Sequence, residues 1–224
     1  MELLIFDLDG TLIDSKLDLA HAVNAALAYM SLPPLDNAVV SSYVGNGAPI
    51  LIRRALAEHA TEANEKKALD YFLAYYDQHN LDNTCAYPDV QEALAELQAA
   101  GVKMAVLTNK PVRVSGRILE GLGLAKYFVR IYGGNSFETK KPNPAGAEKL
   151  IEELEVKRDA AMMVGDSAVD VLTARNAGIK VCGVRYGFQP DTFEQDPPDM
   201  IVDRLTELAH AIIQERGQRG ALKR

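Results

Sequence analysis

The sequence contains only two cysteines, Cys85 and Cys182, which stand far apart and lack the spacing of a metal-binding pair. Small secreted domains that depend on disulfides carry many more cysteines, so a disulfide scaffold is excluded. We therefore expect a reduced, cytoplasmic protein. The first predicted strand begins almost at Met1, and we expect no secretory signal ahead of it.

Long hydrophobic runs and an excess of positive charge are also lacking. No apolar stretch approaches the length that crosses a bilayer, so we expect no membrane association. The net charge is −7, which argues against binding of nucleic acid through a broad basic surface. We expect a soluble monomer or homodimer.

Several catalytic signatures are missing as well. The four histidines show no His-x-x-x-His spacing, so the usual zinc-hydrolase pattern is absent. Gly45 and Gly47 lack the third glycine and the preceding strand of a dinucleotide-binding turn. The sequence also has no P-loop and no Ser nucleophile elbow. Chemistry must therefore come from other residues.

What the chain does contain is a large apolar fraction arranged as alternating strands and helices. With 224 residues, 48% of them hydrophobic, it can bury a full core in one or two domains. Apolar runs predict strands at residues 3–5, 102–107, 129–132, 160–164, 180–184 and 199–202. Helical patterns separate the later strands. This alternation predicts an α/β fold with a doubly wound parallel sheet.

One segment interrupts the alternation directly after the first strand. Between residues 16 and about 80 the spacing of apolar residues predicts several amphipathic helices and no convincing strand. We therefore expect an α/β core made of residues 1–14 and 84–224, with an inserted α-helical domain at 15–83.

Two carboxylates follow the first strand. Asp7 and Asp9 come where the apolar run ends, and Gly10 lets the backbone turn sharply. The carboxyl end of a first strand is where open α/β sheets bind ligands. Two like charges so close raise each other's pKa unless a cation lies between them, and paired oxygen ligands suit Mg²⁺. The same residues are also common in turns that carry no chemistry.

Further polar side chains follow later strands. Thr108 and Asn109 offer a hydroxyl and an amide that can hydrogen-bond an oxyanion. Asp166 follows another strand, with Asp170 one helical turn further on. Lys141 precedes a helix start, where a cation and the helix dipole can neutralise phosphate charge. Each is ordinary loop chemistry alone, but the fold brings these strand ends together at one edge.

The order of these pieces resembles the haloacid dehalogenase superfamily of aspartyl-nucleophile phosphotransferases, which have a Rossmann-like core. The four motifs of the superfamily are matched by residues 6–12, 107–109, 141–142 and 165–170. The resemblance covers essentially the whole chain. The helical insert is similar to the small cap domain of that superfamily, so the resemblance implies an enzyme with a capped active site.

The resemblance implies a role for each carboxylate. Asp7 is the expected nucleophile, which takes the phosphoryl group as an aspartyl-phosphate. Asp9 is the expected general acid and base, and an acid at this position is typical of phosphatases rather than dehalogenases. The expected Mg²⁺ ligands are the Asp7 carboxylate, the Asp9 backbone carbonyl and Asp166, with Asp170 in a supporting position.

The resemblance also implies the phosphate-binding groups, which are Thr108, Asn109 and Lys141. They would hold phosphate oxygens, because phosphoryl transfer depends mostly on positioning and charge stabilisation. Lys141 is preferred over its neighbour Lys140 because it directly precedes Pro142, as in the family motif.

Within the superfamily, residues 18–20, 24–27, 44–48 and 54–56 resemble the phosphoglycolate phosphatase branch. This implies that a small phosphorylated metabolite, 2-phosphoglycolate, is hydrolysed to glycolate and phosphate. Arg53 or its neighbour Arg54 could pair with the carboxylate of this metabolite, or Asn46 and Gly47 could present backbone donors to it instead. For Arg53 or Arg54, a solvated helix face or an ion pair with Glu58 is the competing interpretation.

Other functions stay open at this point. Within the superfamily the alternatives are a pyrophosphatase, a nucleotidase and a sugar-phosphate phosphatase. A β-phosphoglucomutase is disfavoured, because residues 45–56 contain no lysine where that branch usually carries one. A phosphonatase would need a cap lysine, and Lys66 and Lys67 have no recognisable context for it. A non-catalytic protein that binds phosphate ligands on the same fold is the alternative from a different class.

Overall fold

The structure is a computed structural model that describes residues 1–221, with residues 219–221 described by their backbone alone. In chain order its elements are β1 (Leu3–Phe6), β2 (Ile13–Asp14), α1 (Lys16–Tyr29), α2 (Asn37–Ser42), α3 (Ala48–Leu56), α4 (Glu62–His79), β3 (Cys85–Ala86), α5 (Val90–Ala99), β4 (Lys103–Leu107), α6 (Val112–Gly121), β5 (Arg130–Tyr132), α7 (Ala145–Glu153), β6 (Ala161–Gly165), α8 (Ala168–Ala177), β7 (Lys180–Val184), β8 (Met200–Val202) and α9 (Leu205–Ala221).

Six parallel strands form the main sheet, in the order β5-β4-β1-β6-β7-β8. The central strand β1 lies between β4 and β6, so the strand order reverses at this point. Such a reversal opens a crevice at the carboxyl ends of the strands, which is the usual ligand site of this architecture. The predicted doubly wound parallel sheet is confirmed.

The central strand is apolar on both faces, and each face belongs to a different layer of the core. Leu4 and Phe6 pack into one cluster, whereas Leu3 and Ile5 pack into the other. All four side chains are fully buried. Helices α5, α6 and α9 cover the first face, and α7 and α8 cover the second. Burial of each such side chain stabilises the fold by about 1.5–3 kcal/mol.

Helices α1–α4 form a helical unit with a hydrophobic cluster of its own. Val23 and Leu27 of α1 pack against α3 and α4, and the cluster includes Leu51, Ile52 and Phe72. Between α1 and α4 the described chain contains no strand. The chain leaves the main sheet after β1, forms this unit, and comes back towards the sheet before α5.

A small two-stranded sheet joins the helical unit to the main sheet. β2 lies just before α1, β3 lies shortly after α4, and the two strands pair antiparallel through Ile13–Ala86 and Asp14–Cys85. The outgoing and returning chain segments are therefore held side by side. Sequence patterns did not predict this pair, because two residues are too few to show a period. Within the described residues, no helix is long and apolar enough to cross a membrane.

Candidate active site

The carboxyl ends of β1 and β6 bring three aspartates together. Carboxylate oxygens of Asp7, Asp166 and Asp170 all lie within 4.8 Å of one another, and the three residues are buried. Gly10 makes this proximity possible. Its φ is +84°, and a Cβ at this position would lie 2.2 Å from Asp166 Oδ2. The turn after β1 therefore requires glycine for conformation and for space.

Lys141 lies between two of these carboxylates. Its Nζ is 2.6 Å from Asp170 Oδ1 and 2.9 Å from Asp7 Oδ1. Burial alone would lower the pKa of the ammonium group, but the charges of Asp170 and Asp7 outweigh burial and raise it. Lys141 is thus a cation beside the expected nucleophile, and its role in binding phosphate stays a prediction. Its neighbour Lys140 is exposed.

Asp170 and Asp166 each accept hydrogen bonds from neighbouring loops as well. Asp170 Oδ2 accepts hydrogen bonds from the backbone N–H (3.2 Å) and the hydroxyl (2.9 Å) of Ser167, which forms a capping box at the start of α8. Asp166 Oδ2 accepts a hydrogen bond of 2.6 Å from the backbone N–H of Phe188. Both oxygens of the Asp170 carboxylate therefore accept hydrogen bonds, from Lys141 and from Ser167. This leaves Asp170 less free to bind a metal directly, and a supporting position for it stays our prediction.

Burial and mutual repulsion disfavour ionisation of these aspartates. Burial, with a contribution from Asp170, raises the pKa of Asp7 to about 6, although Lys141 opposes the shift. Burial, followed by the charges of Asp170 and Asp7, also raises the pKa of Asp166 well above its ordinary value. Carboxylates crowded in this way need further positive charge in order to ionise together.

A divalent cation would supply that charge. Among the described residues, the charged groups at this edge leave two formal negative charges when all of them are ionised. The four carboxylates are Asp7, Asp9, Asp166 and Asp170, and the two ammonium groups are Lys110 and Lys141. A carboxylate-rich donor set of this charge fits a hard dication such as Mg²⁺.

The Asp9 carboxylate has a different set of partners from Asp7. The Ser15 hydroxyl donates a hydrogen bond of 2.5 Å to Asp9 Oδ1. Lys110 Nζ donates to both oxygens of Asp9, at 2.8 and 3.0 Å, and also to the Tyr76 hydroxyl at 2.8 Å. Asp9 and Asp7 are therefore not equivalent in their surroundings, and the separate roles expected of them stay a prediction.

Lys110 is a functional candidate that sequence reasoning missed. It directly follows Thr108 and Asn109, and its side chain is buried. Burial would lower the pKa of its ammonium group, but the nearby charge of Asp9 outweighs this effect and raises it. The signal in the sequence is its place directly after the two predicted phosphate ligands Thr108 and Asn109.

Thr108 and Asn109 follow β4, as predicted, and line the cavity beside Asp7. The Asn109 side chain accepts a hydrogen bond from the backbone N–H of Lys141 at 3.0 Å. Its amide nitrogen donates to the Lys141 carbonyl at 3.1 Å and to the Gly45 carbonyl at 2.9 Å. Asn109 thus joins three loops in this structure, and its role as a phosphate ligand stays a prediction.

The cavity lies between this cluster of charges and the helical unit. Its floor includes Asp7, Asp9 and Asp166, and the helical unit contributes a mainly apolar wall. That wall contains Leu19, Val44, Leu51, Phe72 and Tyr76. A small polar group bound at the floor would therefore be covered by apolar side chains, which excludes water from the reacting atoms.

The structure corrects one of the cap residues expected from the sequence. Arg53 does not line the cavity, because its guanidinium forms a two-point ion pair with Glu65 on the exposed side of α4. Gly47 does line the cavity at the start of α3, with a φ of +85°. Asn46, next to it, is not among the lining residues, and its role stays a prediction.

Comparison with known proteins assigns the family. The model of the haloacid dehalogenase-like hydrolases matches residues 4–184, which include all four predicted motifs. This chain belongs to the haloacid dehalogenase-like hydrolase family. The resemblance predicted from the motifs is thus confirmed, and the chain is a hydrolase of this family.

Relatives within the family align along nearly the whole chain. It is 41% identical over 219 residues to the phosphoglycolate phosphatase of Vibrio parahaemolyticus, covering 95% of this chain and 96% of the relative. It is 40% identical to the enzyme of that name from Colwellia psychrerythraea, covering 92% and 95%. The crystal structure of a predicted phosphoglycolate phosphatase from Haemophilus somnus 129PT superposes with a TM-score of 0.90 at 34% identity, covering 95% and 98%.

Proposed function

We propose that this chain is a Mg²⁺-dependent phosphatase that hydrolyses 2-phosphoglycolate to glycolate and phosphate. The observation that carries the proposal is the pair of carboxylates after β1, in which Asp7 lies with Lys141 and Asp9 lies with Lys110. The two carboxylates thus have different partners, and we assign Asp7 to attack and Asp9 to exchange a proton. The name shared by the Vibrio parahaemolyticus and Colwellia psychrerythraea relatives supports the choice of substrate.

In the first step, an oxygen of Asp7 attacks phosphorus and the bond from phosphorus to the alcohol oxygen breaks. Protonated Asp9 gives its proton to the departing oxygen, so the alcohol leaves as a neutral group. Lys141 and the Thr108 hydroxyl stabilise the phosphoryl oxygens. The product of this step is an aspartyl-phosphate on Asp7 and a free alcohol.

In the second step, water attacks phosphorus and the bond to the Asp7 oxygen breaks. Asp9 takes the proton from the water, which returns both aspartates to their starting forms and releases phosphate. Mg²⁺ held by Asp7, Asp166 and the Asp9 carbonyl would supply the positive charge that offsets repulsion between the phosphate dianion and the attacking carboxylate.

We propose that the helical unit α1–α4, within residues 15–83, acts as a cap over this chemistry. Two contacts between the unit and the core support this assignment. Gln189 donates a hydrogen bond of 2.8 Å to the Val44 carbonyl, and Asn109 donates one to the Gly45 carbonyl. The loop of residues 44–47 is thus tied to the core beside the cavity. Backbone groups at Asn46 and Gly47 remain our candidates for contact with the substrate.

The test is turnover of a panel of phosphate esters with Mg²⁺ present. The panel contains 2-phosphoglycolate, pyrophosphate, a nucleoside monophosphate and a sugar phosphate. We expect kcat/KM for 2-phosphoglycolate to exceed the others by at least about tenfold, since the remote part of a substrate contributes to transition-state binding. A higher value for another ester would overturn the substrate assignment.

Asp7→Asn provides the matching test of mechanism. The variant keeps its size but loses the nucleophilic oxygen pair, so turnover of every ester should stop while the fold is retained. Measurable steady turnover by purified Asp7→Asn would rule out Asp7 as the nucleophile. If the unmodified protein binds these esters but hydrolyses none of them, it is a binding protein.

We also infer a cytoplasmic location, because both cysteines are free thiols, Cys85 exposed and Cys182 buried. A monomeric or homodimeric state remains our prediction, which sedimentation of the purified protein would check.

A further inference from the structure

Among the described residues at the site, Lys110 is the one buried cation for which the mechanism above provides no step. Its three ammonium N–H groups are fully used by Asp9 Oδ1, Asp9 Oδ2 and the Tyr76 hydroxyl. Only 5% of its side chain is exposed. A lysine saturated in this way cannot also hold a phosphate oxygen without breaking one of these bonds. Its chemistry is therefore directed at Asp9.

The partners of Lys110 come from two separate parts of the fold. Asp9 and Lys110 follow strands β1 and β4 of the main sheet, whereas Tyr76 lies on α4 of the helical unit. The ammonium group also lies 4.6 Å from the centre of the Tyr76 ring, within the range of a cation–π contact. The chain of contacts therefore runs from the helical unit, through Lys110, to the carboxylate that exchanges protons.

We propose that Lys110 is a positioning residue that fixes the Asp9 carboxylate for proton transfer, and that Tyr76 fixes Lys110 when the helical unit covers the site. This inference rests on the proposed phosphatase function. Asp9 can carry its proton on one oxygen while the other oxygen keeps its hydrogen bond to Lys110. Without the lysine, the Ser15 hydroxyl alone would restrain the carboxylate, through a single oxygen.

The reaction offers a readout that a purely structural role would not move. Departure of the alcohol needs a proton most when the alcohol is a poor leaving group, and hardly at all when it is a nitrophenol. The ratio kcat/KM includes every step up to that departure. A displaced Asp9 should therefore lower kcat/KM selectively for alkyl phosphates. By contrast, kcat limited by hydrolysis of the aspartyl-phosphate should fall equally for all substrates.

The experiment compares Lys110→Met and Tyr76→Phe with the unmodified protein, using 4-nitrophenyl phosphate and 2-phosphoglycolate. General acid catalysis contributes about 10²–10⁴-fold, and small displacements cost on the order of 10²-fold. We expect Lys110→Met to lose about 100-fold in kcat/KM for 2-phosphoglycolate and less than about tenfold for the nitrophenyl ester. Tyr76→Phe keeps the ring and should show the same selectivity with a loss of about threefold to tenfold.

Tyr75→Phe is the matched control. Tyr75 lies on the same helix, stacks on His79 and does not line the cavity, so both substrates should react as in the unmodified protein. Thermal unfolding of each variant checks that the fold is kept. Lys110→Arg, which restores a cation, should recover part of the rate with the alkyl ester.

Two outcomes would overturn the inference. Equal losses of kcat/KM for both esters in Lys110→Met and Tyr76→Phe would indicate a structural role, and no loss for either ester would indicate no role. If Lys110→Met fails to fold, the losses of kcat/KM for the two esters in Tyr76→Phe distinguish a positioning role from a structural role or no role. Failure of the proposed function is distinguishable, because it is measured on the unmodified protein, which would then hydrolyse 2-phosphoglycolate no better than the other esters of the panel or hydrolyse none of them, whereas this inference is tested by the difference between the two esters in the variants.

Discussion

At the scale of single residues, the approach of Asp166 to Asp7 depends on backbone that carries no side chain. Asp166 is enclosed by Gly10 on one side and by Gly187 on the other. A Cβ on Gly187 would lie 2.2 Å from the Asp166 Cβ and 2.6 Å from the Gly10 carbonyl oxygen. The next residue, Phe188, donates its backbone N–H to Asp166. The position of one expected metal ligand is therefore set by two glycines and an amide.

Gly187→Ala should displace this loop and weaken the metal site. We expect overpacking to lower the free energy of unfolding by about 1–3 kcal/mol. We also expect the Mg²⁺ concentration for half-maximal activity to rise by about tenfold, because Asp166 loses its fixed position. Activity measured against Mg²⁺ concentration checks this. The control is Gly116→Ala in α6, where a Cβ meets nothing within 4 Å. An unchanged Mg²⁺ requirement in Gly187→Ala would contradict the argument.

The two adjacent lysines of the third motif give a second residue-scale prediction. Lys141→Met removes the cation that lies between Asp7 and Asp170 and that stabilises the transferring phosphoryl group. We expect kcat to fall by about 10²–10³-fold, as for the loss of one well-placed transition-state donor. In Lys140→Met, at the exposed neighbour, kcat should stay within about twofold. Steady-state kinetics with 2-phosphoglycolate check both variants. Equal losses of kcat in the two variants would contradict a specific role of Lys141 in stabilising the phosphoryl group.

At the scale of elements, the join between the helical unit and the sheet depends on one buried carboxylate. Asp18, in the first turn of α1, accepts hydrogen bonds from Asn83 and Thr84, just before β3. The five bonds range from 2.7 to 3.0 Å. They clamp the returning chain to the outgoing chain, next to the short β2–β3 pair. Burial alone would raise the pKa of Asp18, but hydrogen bonds from Thr84 and Asn83 lower it.

Asp18→Asn should therefore destabilise the protein in a pH-dependent way. A carboxylate whose folded pKa is depressed contributes stability above its unfolded pKa of about 3.9, and that stability is lost as pH falls through the folded value. We expect the variant to lose about 1–3 kcal/mol of unfolding free energy at pH 7. The difference from the unmodified protein should narrow as the pH falls below about 3.9. Denaturant unfolding at several pH values measures both effects.

The matched control is Asp70→Asn, which breaks an exposed ion pair with Lys66 on α4. Its unfolding free energy should stay within about 1 kcal/mol of the unmodified protein at neutral pH. A difference for Asp18→Asn that stays constant with pH would mean that its carboxylate charge contributes nothing.

Sequence patterns predicted the elements of the main sheet well, for a physical reason. Strands buried on both faces are nearly continuous apolar runs, so the segments predicted at 102–107 and 160–164 differ by one residue from β4 and β6. The expected strand at 180–184 coincides with β7. By contrast, the direction of a long charged side chain is decided by its neighbours in space. Arg53 was misassigned and Lys110 overlooked, because their partners lie 12 or more residues away.

At the scale of the whole molecule, the α/β core and the helical unit enclose more negative than positive charge. A cation that binds the folded protein and not the unfolded chain stabilises it by an amount that grows with ligand concentration. We therefore expect Mg²⁺ at about one hundred times its dissociation constant to add about 2.7 kcal/mol to the free energy of unfolding. Addition of EDTA should remove this gain in the free energy of unfolding and should also stop turnover.

Asp166→Asn should make the protein more stable without Mg²⁺ and less stable with Mg²⁺, in each case relative to the unmodified protein. Without Mg²⁺ the variant should be more stable than the unmodified protein by about 1 kcal/mol, since it removes a buried like charge beside Asp7 and Asp170. With Mg²⁺ the unmodified protein should be the more stable of the two. The variant has lost a metal ligand, so its melting temperature should no longer rise when Mg²⁺ is added. Thermal unfolding at matched ionic strength checks this, with Asp191→Asn on the surface as the control. A variant that is less stable than the unmodified protein in EDTA would show that Asp166 supports the fold rather than the metal.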